Sequence, residues 1–380
     1  MFDVIIIGAG FAGAVTAERF ATQKNKKVLI IEQRENIGGN CFDEKNDFGI
    51  LIHKFGPHLF HTDDAEVWNY LSQFAEWEIY NHKVLAFIDG QKVPLPFNLN
   101  TLQKLFPKSL AEKFEKILLE NYSYNQKIPI SELAKTNNPD LKFLAEFINE
   151  KIFIHYSEKQ WGKNFSKINS EVTARVPIFV GRDDRYFTDK FQAVPKKGYA
   201  ELFRKMLRNK NIKLLLNTNF NEVMKLEDGK FYFLNQPFEG KIIYTGMIDE
   251  LFDFKFGELE YRSVDLKFET LNQKNFQEVA TVNYPNNYNF TRITEFKKIH
   301  PAETNFTTIL KEYPQKYIRG KNLPFYPVFD EKNKLLYEKY FAESKKIKNL
   351  ILLGRLAEYK YFDMDDIIKR ALEKFYEIEG

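Results

Sequence analysis

The chain of 380 residues contains one cysteine, Cys41. A single cysteine cannot form an intramolecular disulfide, so the expected compartment is a reducing one, the cytoplasm. No apolar run approaches the roughly 18 residues of a membrane-spanning helix. No basic segment followed by an apolar stretch opens the sequence, which starts with a strand pattern. The sequence therefore predicts no membrane span and no secretory leader.

A strong excess of charge of one sign is also missing. The chain has 56 basic and 52 acidic residues, and its net charge is +4. Proteins that bind nucleic acids usually concentrate many more basic residues, so no nucleic-acid partner is expected. Aromatic residues are abundant at 16%, with 37 Phe and 20 Tyr. This surplus can fill hydrophobic cores and can also line a pocket that stacks planar ligands.

The first forty residues contain a pattern typical of dinucleotide-binding domains. An apolar run at 4–7 leads into Gly8-Ala9-Gly10-Phe11-Ala12-Gly13, a helical stretch follows, and a second apolar run at 28–31 ends at Glu32. In such a pattern the first glycine allows a tight turn, the second lets the backbone approach a pyrophosphate, and the third lets helix and strand pack closely. Glu32 lies at the spacing of the acid that binds ribose hydroxyls. A glycine turn without a ligand is the alternative.

Later segments predict how this nucleotide domain is completed. Asp63 and Asp64 are expected to begin a helix that runs through Trp77, and residues 212–216 read as a buried strand. Gly354 precedes a second helix start at Asp363, and a helix N-terminus there would favour negative charge on a flavin ring. This argument favours FAD over NAD as the cofactor.

The remaining pattern predicts two further parts. Residues 84–96 alternate around Asp89-Gly90, as in a hairpin, and apolar residues from about 102 to 153 follow helical spacing. We predict an α/β protein with a discontinuous Rossmann-like FAD-binding domain, an inserted helical subdomain and an antiparallel β-sheet domain. The predicted boundaries are 1–83, 195–250 and 330–380 for the FAD-binding domain, 98–180 for the helical subdomain, and 84–97, 181–194 and 251–329 for the sheet domain.

Several stretches taken together resemble the prokaryotic UDP-galactopyranose mutases, almost end to end and in the expected order. These stretches are the glycine turn, Gly56-Pro57-His58-Leu59-Phe60-His61-Thr62, Tyr156-Ser157-Glu158-Lys159-Gln160-Trp161-Gly162, Arg175-Val176-Pro177, Asp184-Arg185-Tyr186-Phe187, Phe290-Thr291-Arg292-Ile293-Thr294-Glu295-Phe296, Lys311-Glu312-Tyr313-Pro314, and the block from Gly354 to Asp365. The glycine turn is shared with all flavoproteins of this type, whereas the block around Trp161 and the C-terminal block are specific.

The resemblance implies a flavoenzyme that changes no oxidation state overall. In that family reduced FAD attacks the anomeric carbon of UDP-galactopyranose, UDP leaves, and the sugar recloses as a furanose before UDP returns. The product, UDP-galactofuranose, supplies a surface glycan. The implied cofactor is FAD in its reduced form, the implied partner is a UDP-hexose, and the family is commonly homodimeric.

The same resemblance, with the needs of this chemistry, assigns the substrate residues. Departing phosphates need arginines, and Arg175 and Arg292 are the candidates. Arg175 corresponds to the arginine of the family's mobile lid. The predicted phosphate-binding tyrosines are Tyr186, Tyr326 and Tyr361. The uracil-binding residues are expected among Phe153, Tyr156 and Trp161, and the predicted substrate set is completed by Ser157 and Asn283. Ile152 stands where some relatives carry an aromatic residue.

His58 and His61 are predicted to lie beside the flavin, where they would tune its charge or hold the sugar. A metal pair is not expected, because no carboxylate or histidine cluster completes a ligand set. Cys41 has no base partner in the sequence and is expected to pack near FAD. The predicted cofactor-binding residues are Gly8, Gly10, Phe11, Ala12, Gly13, Glu32, Gln33, Gly39, Asn40, His53, Gly56, Val223, Gly246, Arg355, Tyr361, Asp363 and Met364.

Some alternatives stay open at this point. UDP-N-acetylgalactosamine could be the substrate, alone or together with the galactose nucleotide. A redox flavoenzyme of amine-oxidase type, or a flavoprotein that only binds, could share the fold. Glu312 is either a buried acid near the site or an ordinary strand residue.

Overall fold

The computed structural model describes residues 2–163 and 177–379. The strands are β1 (Val4–Ile7), β2 (Val28–Ile31), β3 (Asp43–Lys45), β4 (Leu51–His53), β5 (Phe60–Thr62), β6 (Trp77–Ile79), β7 (Val84–Ile88), β8 (Gln91–Leu95), β9 (Lys127–Ile128), β10 (Ile178–Phe179), β11 (Phe191–Pro195), β12 (Ile212–Leu215), β13 (Met224–Glu227), β14 (Lys230–Phe233), β15 (Gln236–Pro237), β16 (Lys241–Tyr244), β17 (Tyr261–Leu271), β18 (Thr281–Asn283), β19 (Arg292–Glu295), β20 (Thr307–Lys316), β21 (Tyr326–Pro327) and β22 (Leu350–Leu352).

The helices alternate with these strands along the chain. They are α1 (Phe11–Gln23), α2 (Ala65–Leu71), α3 (Leu99–Leu105), α4 (Lys108–Asn121), α5 (Ile130–Leu133), α6 (Pro139–Ile148), α7 (His155–Trp161), α8 (Tyr199–Met206), α9 (Phe220–Val223), α10 (Ile248–Leu251), α11 (Glu331–Ser344) and α12 (Met364–Glu379). A π-helical segment, Asn149–Ile154, joins α6 to α7. No helix in the described ranges is long and apolar enough to cross a membrane.

Five strands form a parallel sheet in the order β12-β2-β1-β16-β22, counted over the described residues. All residues of β1 and β2 are buried, because α1 and α12 cover one face and a second hydrophobic cluster covers the other. β-branched residues fill these central strands, as is typical of parallel sheets. Phe20 of α1 and Phe375 of α12 meet edge to face at 5.2 Å. The predicted Rossmann-like α/β class is confirmed.

Two details of the sequence prediction are wrong. Strand β12 lies at the sheet edge, so Lys213 and Leu214 are exposed rather than buried. Helix α2 starts where predicted, with Asp64 accepting hydrogen bonds from the amides of its first turn, but it ends at Leu71. Trp77 instead begins β6 and stacks on Trp68 at 4.9 Å, and this aromatic contact is tertiary, so local spacing could not reveal it.

The second sheet is larger than the parallel one. Within the described part of the chain it has the order β21-β17-β20-β19-β18-β7-β8. Its pairs are antiparallel as expected, except that β18 runs parallel to β7. The predicted hairpin at Asp89-Gly90 joins β7 to β8, and both residues have positive φ, as a tight hairpin turn requires. Helices α3 to α6 and the π-helical segment pack against β7 and β8 in one hydrophobic cluster.

Candidate functional site

The parallel sheet brings four predicted cofactor residues to one edge. Gly8, Glu32, Gly246 and Gly354 each follow the carboxyl end of a strand, namely β1, β2, β16 and β22. The carboxyl ends of parallel strands meet at the same edge of the sheet, where ligands of such folds bind. Segments that are far apart in the sequence therefore form one nucleotide-binding edge.

The glycine turn requires glycine for steric reasons. Gly8 has φ of +105°, and a Cβ there would lie 2.1 Å from Thr245 Oγ1. A Cβ on Gly13 would lie 2.0 Å from the Gly8 carbonyl oxygen. Gly10 packs against Gly39, where a Cβ on Gly39 would lie 3.0 Å from the Gly10 Cα. The turn leads into the N-terminus of α1, which has no acidic residue in its first turn and can face an anionic pyrophosphate.

Glu32 connects this turn to the loop after β2. Its buried carboxylate accepts hydrogen bonds from the amides of Ala9 at 2.8 Å and Arg34 at 2.9 Å. Each oxygen keeps acceptor capacity, so a ribose hydroxyl can still be bound. The loop itself contributes Arg34, which sequence reasoning missed.

Arg34 is held in place by two contacts. Its Nη2 donates to Asn40 Oδ1 at 3.0 Å, and its guanidinium lies 4.2 Å from the centre of the Phe55 ring. Nη1 is buried and has no hydrogen-bond partner among the described residues, and burial lowers the pKa of the side chain. A buried, unpartnered guanidinium nitrogen at the nucleotide-binding edge suits a phosphate oxygen. The sequence feature that could have identified Arg34 is its position two residues after Glu32, the acid predicted to bind the ribose.

A cavity of about 710 Å³ opens next to this edge and brings most predicted site residues together. The predicted residues that line it are Asn40, Gly56, His58, His61, Phe153, Tyr156, Ser157, Trp161, Tyr186, Asn283, Arg292, Tyr326, Arg355, Tyr361, Asp363 and Met364. Other predicted cofactor residues lie outside its lining, and these are Gly8, Gly10, Phe11, Ala12, Gly13, Glu32, Gln33, Gly39, His53, Val223 and Gly246. Gln33 is exposed and Val223 is half-buried. Arg175 lies outside the described residues.

Arg292 and Glu312 form an ion pair on the cavity wall, with Nε and Oε2 3.0 Å apart. Burial opposes the charge of Arg292, but the carboxylate of Glu312, together with the hydroxyls of three tyrosines, raises the pKa of Arg292 well above its ordinary value. Although Arg292 Nε is close to Oε2, the contact does not have hydrogen-bond geometry. Arg292 Nε and Glu312 Oε1 are therefore both without a hydrogen-bond partner within the described ranges. Glu312 is therefore a buried acid at the cavity, the first of the two readings that the sequence left open.

Four predicted tyrosines line the cavity, and burial favours the neutral, hydrogen-bond-donating hydroxyl in three of them. Burial raises the pKa of Tyr156 to about 12, and it also raises the pKa values of Tyr186 and Tyr326. Tyr326 and Tyr361 stack with ring centres 6.3 Å apart, and the Arg355 guanidinium lies over both rings. Arg355 is itself fixed by hydrogen bonds to the carbonyl oxygens of Phe325 and Phe362. These contacts preorganise two hydroxyl donors on one side of the cavity.

The pKa values of the two predicted histidines are shifted in opposite directions. His58 Nδ1 contacts the Gly56 carbonyl oxygen at 2.8 Å, and burial, with the positive charges of Arg355 and Arg292, lowers its pKa to about 4. His61 stacks on Phe187 at 3.7 Å, and its Nδ1 lies 3.3 Å from Asp189 Oδ1. Burial opposes the charge of His61, but the hydrogen bond and charge of Asp189, together with the charges of Asp363 and Asp365, raise its pKa above the ordinary value. His58 is thus neutral at pH 7, whereas the surroundings of His61 shift it towards the charged form.

The loop that carries His58 is held by a second histidine, His53. The backbone amide of His58 donates to His53 Nδ1 at 2.9 Å, and His53 Nε2 lies 3.3 Å from His300 Nε2. His53 therefore supports the cavity from behind instead of lining it. No group of three or more His, Cys, Asp or Glu side chains that could hold a metal ion occurs in the part of the chain that the structure describes.

Helix α7 brings Tyr156 and Trp161 to the cavity and is tied to the β18–β19 hairpin by Lys159. The Lys159 ammonium donates to the carbonyl oxygens of Tyr284, Tyr288 and Phe290 at 2.5, 3.0 and 3.1 Å. Burial lowers its pKa to about 8, so it is largely charged at neutral pH. This lysine was quoted within a motif, but its partners are more than 120 positions away and could not be predicted.

The residues at the edge and in the cavity fit a flavin nucleotide. The glycine turn leaves room for a pyrophosphate, Arg34 offers an unpartnered donor, and Met364, Arg355 and His58 line the adjoining cavity. Cys41 is buried with its Sγ 3.7 Å from Met364 Sδ, and burial raises the pKa of its thiol, so it is not poised as a nucleophile.

Comparison with known proteins identifies the family. The profile described as UDP-galactopyranose mutase matches residues 151–361, and one described as NAD(P)-binding Rossmann-like domain matches residues 6–74. A UDP-galactopyranose mutase of Mycoplasma genitalium is 38% identical over 98% of this chain and 94% of its own length. A dTDP-fucopyranose mutase of Escherichia coli is 33% identical over 98% of this chain and 97% of its own length.

The solved structures agree on the fold. A crystal structure of reduced UDP-galactopyranose mutase superposes on this chain with a TM-score of 0.77 at 15% identity. The superposition covers all of this chain and 94% of the crystallised one. The chain belongs to the UDP-galactopyranose mutase family, whose members are FAD-dependent isomerases that act on nucleotide sugars.

Proposed function

We propose that this chain converts UDP-galactopyranose to UDP-galactofuranose in a reaction that requires reduced FAD. The observation that carries the proposal is the single cavity lined both by Arg292 with the tyrosines and by Arg355, His58 and Met364. Arg292 and the tyrosines suit the diphosphate of a nucleotide sugar. Arg355, His58 and Met364 would lie next to the flavin ring. When bound, the reduced flavin supplies the nucleophile that attacks the anomeric carbon.

The protein's own task is to hold UDP while it is detached from the sugar. Arg292 provides positive charge to the departing phosphates, and the hydroxyls of Tyr186, Tyr326 and Tyr361 donate hydrogen bonds. Arg175 is proposed as a second phosphate-binding arginine on a lid that closes over UDP. Phe153, Tyr156 and Trp161, with Ser157, would hold the uridine, and Asn283 would complete the substrate contacts beside Arg292.

Neutral His58 is proposed to face the flavin, and His61 the sugar side. The other cofactor residues predicted from the sequence, including Asn40, His53 and Gly56, would hold the adenosine and pyrophosphate parts and the flavin ring. We also propose that the protein works as a cytoplasmic homodimer with the domain boundaries predicted above, and that its product supplies a surface or capsular glycan.

The deciding experiment incubates dithionite-reduced, FAD-loaded enzyme with UDP-galactofuranose and follows formation of UDP-galactopyranose by chromatography. Conversion is expected with reduced enzyme and absent with oxidised enzyme. If FAD is bound and reduced and no conversion occurs, the proposal is wrong. Oxygen uptake during turnover with oxidised FAD would instead indicate an amine-oxidase type of reaction, and UDP binding without isomerisation would indicate a flavoprotein that only binds.

A second candidate substrate is a dTDP-fucopyranose nucleotide, because the dTDP-fucopyranose mutase of Escherichia coli is 33% identical over nearly the whole chain. Fucose lacks the hydroxyl at C6, and thymine carries an extra methyl group. UDP-N-acetylgalactosamine is a third candidate, since an acetamido group would alter only a few pocket contacts. Comparison of kcat/KM for the three nucleotide sugars under identical reducing conditions distinguishes them, and the proposal expects the galactose nucleotide to be fastest.

A further inference from the structure

His300 is a buried histidine that the proposed function does not use. It follows the 3-10 turn Phe296–Lys298, which continues directly from β19 and packs against β4. Only 6% of the residue is exposed, and its backbone amide donates to the Phe296 carbonyl oxygen at 2.9 Å. His300 therefore lies on the segment that begins with Arg292, while its side chain meets His53 on the β3–β4 hairpin.

The contacts of His53 fix which of its ring nitrogens carries the proton. The backbone amide of His58 donates to His53 Nδ1 at 2.9 Å, so Nδ1 is an acceptor and has no proton. Burial, together with the neighbouring His300 and His58, lowers the pKa of His53 well below its ordinary value, so the ring is neutral. In a neutral imidazole the other nitrogen then carries the proton. His53 is therefore an Nε2–H donor.

His300 supplies the acceptor for this donor. Its Nε2 lies 3.3 Å from His53 Nε2, and burial lowers the pKa of His300 to about 4, so this ring is neutral as well. A neutral imidazole has one unprotonated nitrogen, and in His300 that nitrogen must be Nε2 if it accepts from His53. A single proton thus lies between the two Nε2 atoms, and His300 carries its own proton on Nδ1.

The other tautomer of His53 would release the loop that carries His58. A proton on His53 Nδ1 would face the amide hydrogen of His58, and that hydrogen bond would be lost. Without an acceptor at position 300, His53 must either lose this bond or bury an N–H group without its partner, and both are costly. The rings of Tyr199 and Phe296 flank His53 with centres at 5.7 Å and hold it in place.

The loop that His53 anchors lines the cavity. Phe55, Gly56 and His58 belong to this lining, and His58 is proposed to face the flavin. The contacts from His300 through His53 to His58 therefore join the segment after β19 to the loop on the cofactor side. Hydrogen bonds behind a site hold the groups that touch the ligand in their working positions.

We infer that His300 is a positioning residue for FAD. It accepts the proton of His53 Nε2, fixes the tautomer in which His53 holds the amide of His58, and thereby keeps the His58 loop beside the flavin. The inference rests on the proposed function for the place of His58. Its tests need no turnover, so a failure of the proposed reaction and a failure of this role give different results.

The first test determines the tautomers directly. In FAD-loaded protein that contains isotopically labelled histidine, NMR distinguishes protonated from unprotonated ring nitrogens by their chemical shifts, and substitution of each histidine in turn assigns the signals. We expect the proton of His53 on Nε2 and that of His300 on Nδ1. A proton on His53 Nδ1, or a charged His300 at neutral pH, would overturn the inference.

The second test compares two substitutions in the holoenzyme. His300→Phe keeps a ring at this position but removes the acceptor, whereas the amide oxygen of His300→Gln can reach the place of Nε2. We expect FAD to dissociate roughly tenfold faster from His300→Phe, with a changed flavin absorption spectrum, and His300→Gln to restore most of both properties. If both variants resemble wild type, or both lose FAD equally fast, the acceptor role is wrong.

Binding of UDP separates this role from a general loosening of the fold. FAD-loaded His300→Phe should bind UDP with the wild-type Kd, because none of the proposed UDP contacts lies on the His58 loop. In a His53→Phe background, His300→Phe should cause no further loss of FAD, because the shared hydrogen bond is already gone. Parallel weakening of UDP binding, or additive losses in the double variant, would contradict the inference. His155→Ala, an exposed histidine outside this cavity, is the matched control and should change neither ligand.

Discussion

Arg292 and Glu312 face the cavity together, so a substitution at either one affects two properties. Arg292→Ala removes the proposed phosphate contact and also leaves a buried carboxylate without its partner. We expect kcat/KM to fall by about two to three decades, with FAD retained. We also expect a loss of stability of about 3 kcal/mol from the unpaired Glu312. Steady-state kinetics and urea unfolding measure the two effects.

A double variant separates these effects. Arg292→Ala with Glu312→Gln removes the unpaired charge, so most of the lost stability should return while activity stays low. If the double variant regained activity, Arg292 would serve only to neutralise Glu312. Wild-type activity in the single variant would exclude the phosphate role directly.

The ion pair of His61 and Asp189 predicts a pH dependence of stability. Asp189 raises the pKa of His61 above its ordinary value of 6.5, while His61 lowers the pKa of Asp189 below its ordinary 3.8. A raised histidine pKa stabilises the fold fully below 6.5, and this contribution disappears as the pH rises through the folded-state pKa. A lowered aspartate pKa stabilises the fold above 3.8 and is lost as the pH falls through the folded-state pKa. The pair is therefore most stabilising between these two ordinary values.

His61→Phe keeps the ring that stacks on Phe187 but removes the charge. The difference in unfolding free energy between wild type and this variant should be about 1 kcal/mol near pH 5 and should shrink towards pH 9. Urea unfolding of the FAD-loaded protein at several pH values measures it. A difference that stays constant from pH 5 to pH 9 would show that the pair makes no charge-dependent contribution.

At the scale of elements, α7 and the β18–β19 hairpin depend on each other through Lys159. Lys159→Met keeps the length of the side chain but leaves the carbonyl oxygens of Tyr284, Tyr288 and Phe290 without this donor. The loop of this hairpin joins Asn283 to Arg292, so a loosened loop would displace both proposed substrate residues. We therefore expect roughly a tenfold loss of kcat/KM with FAD content unchanged. The loss should occur with UDP-galactopyranose as substrate under reducing conditions.

The control for this substitution is Lys151→Met on the adjoining π-helical segment. Lys151 pairs with the exposed side chain of Asp89, so its removal should alter stability by no more than about 0.5 kcal/mol. If Lys159 acts through Arg292, Lys159→Met should cost little further activity in an Arg292→Ala background. Fully additive losses would indicate that the lysine stabilises the fold without positioning Arg292.

For the whole molecule, FAD should contribute to global stability because its proposed site joins distant segments. Ligand present at about a hundred times its Kd stabilises a protein by roughly 2.7 kcal/mol. For a chain of this size we expect removal of FAD to lower the Tm by about 3 °C, and added FAD to restore it. Calorimetry of loaded, stripped and reloaded protein is the measurement, and identical Tm values would argue against a site shared among these segments.

The sequence was informative where a property is local. The strand, turn and helix from Val4 to Gln23 are specified by residues that are neighbours, and so is the hairpin at Asp89-Gly90. Family resemblance then named most of the charged and tyrosine residues proposed to act in the cavity, but fewer than half of all residues that line it. The missed features join distant residues, such as Lys159 with Tyr284, His61 with Asp189, and Trp77 with Trp68. Nothing in local spacing specifies these partners, because they meet only after the sheets have assembled.

The order of strands in the parallel sheet also has a consequence for synthesis on the ribosome. β1 and β2 emerge first, but β16 must insert beside β1 before β22 can pair with it. Helix α12, which covers α1, emerges later still. The nascent chain therefore exposes an unfinished sheet edge until residues 350–379 have been made. Capture of the cofactor is then a late event, because the nucleotide-binding edge is complete only when the segment after β22 has been made.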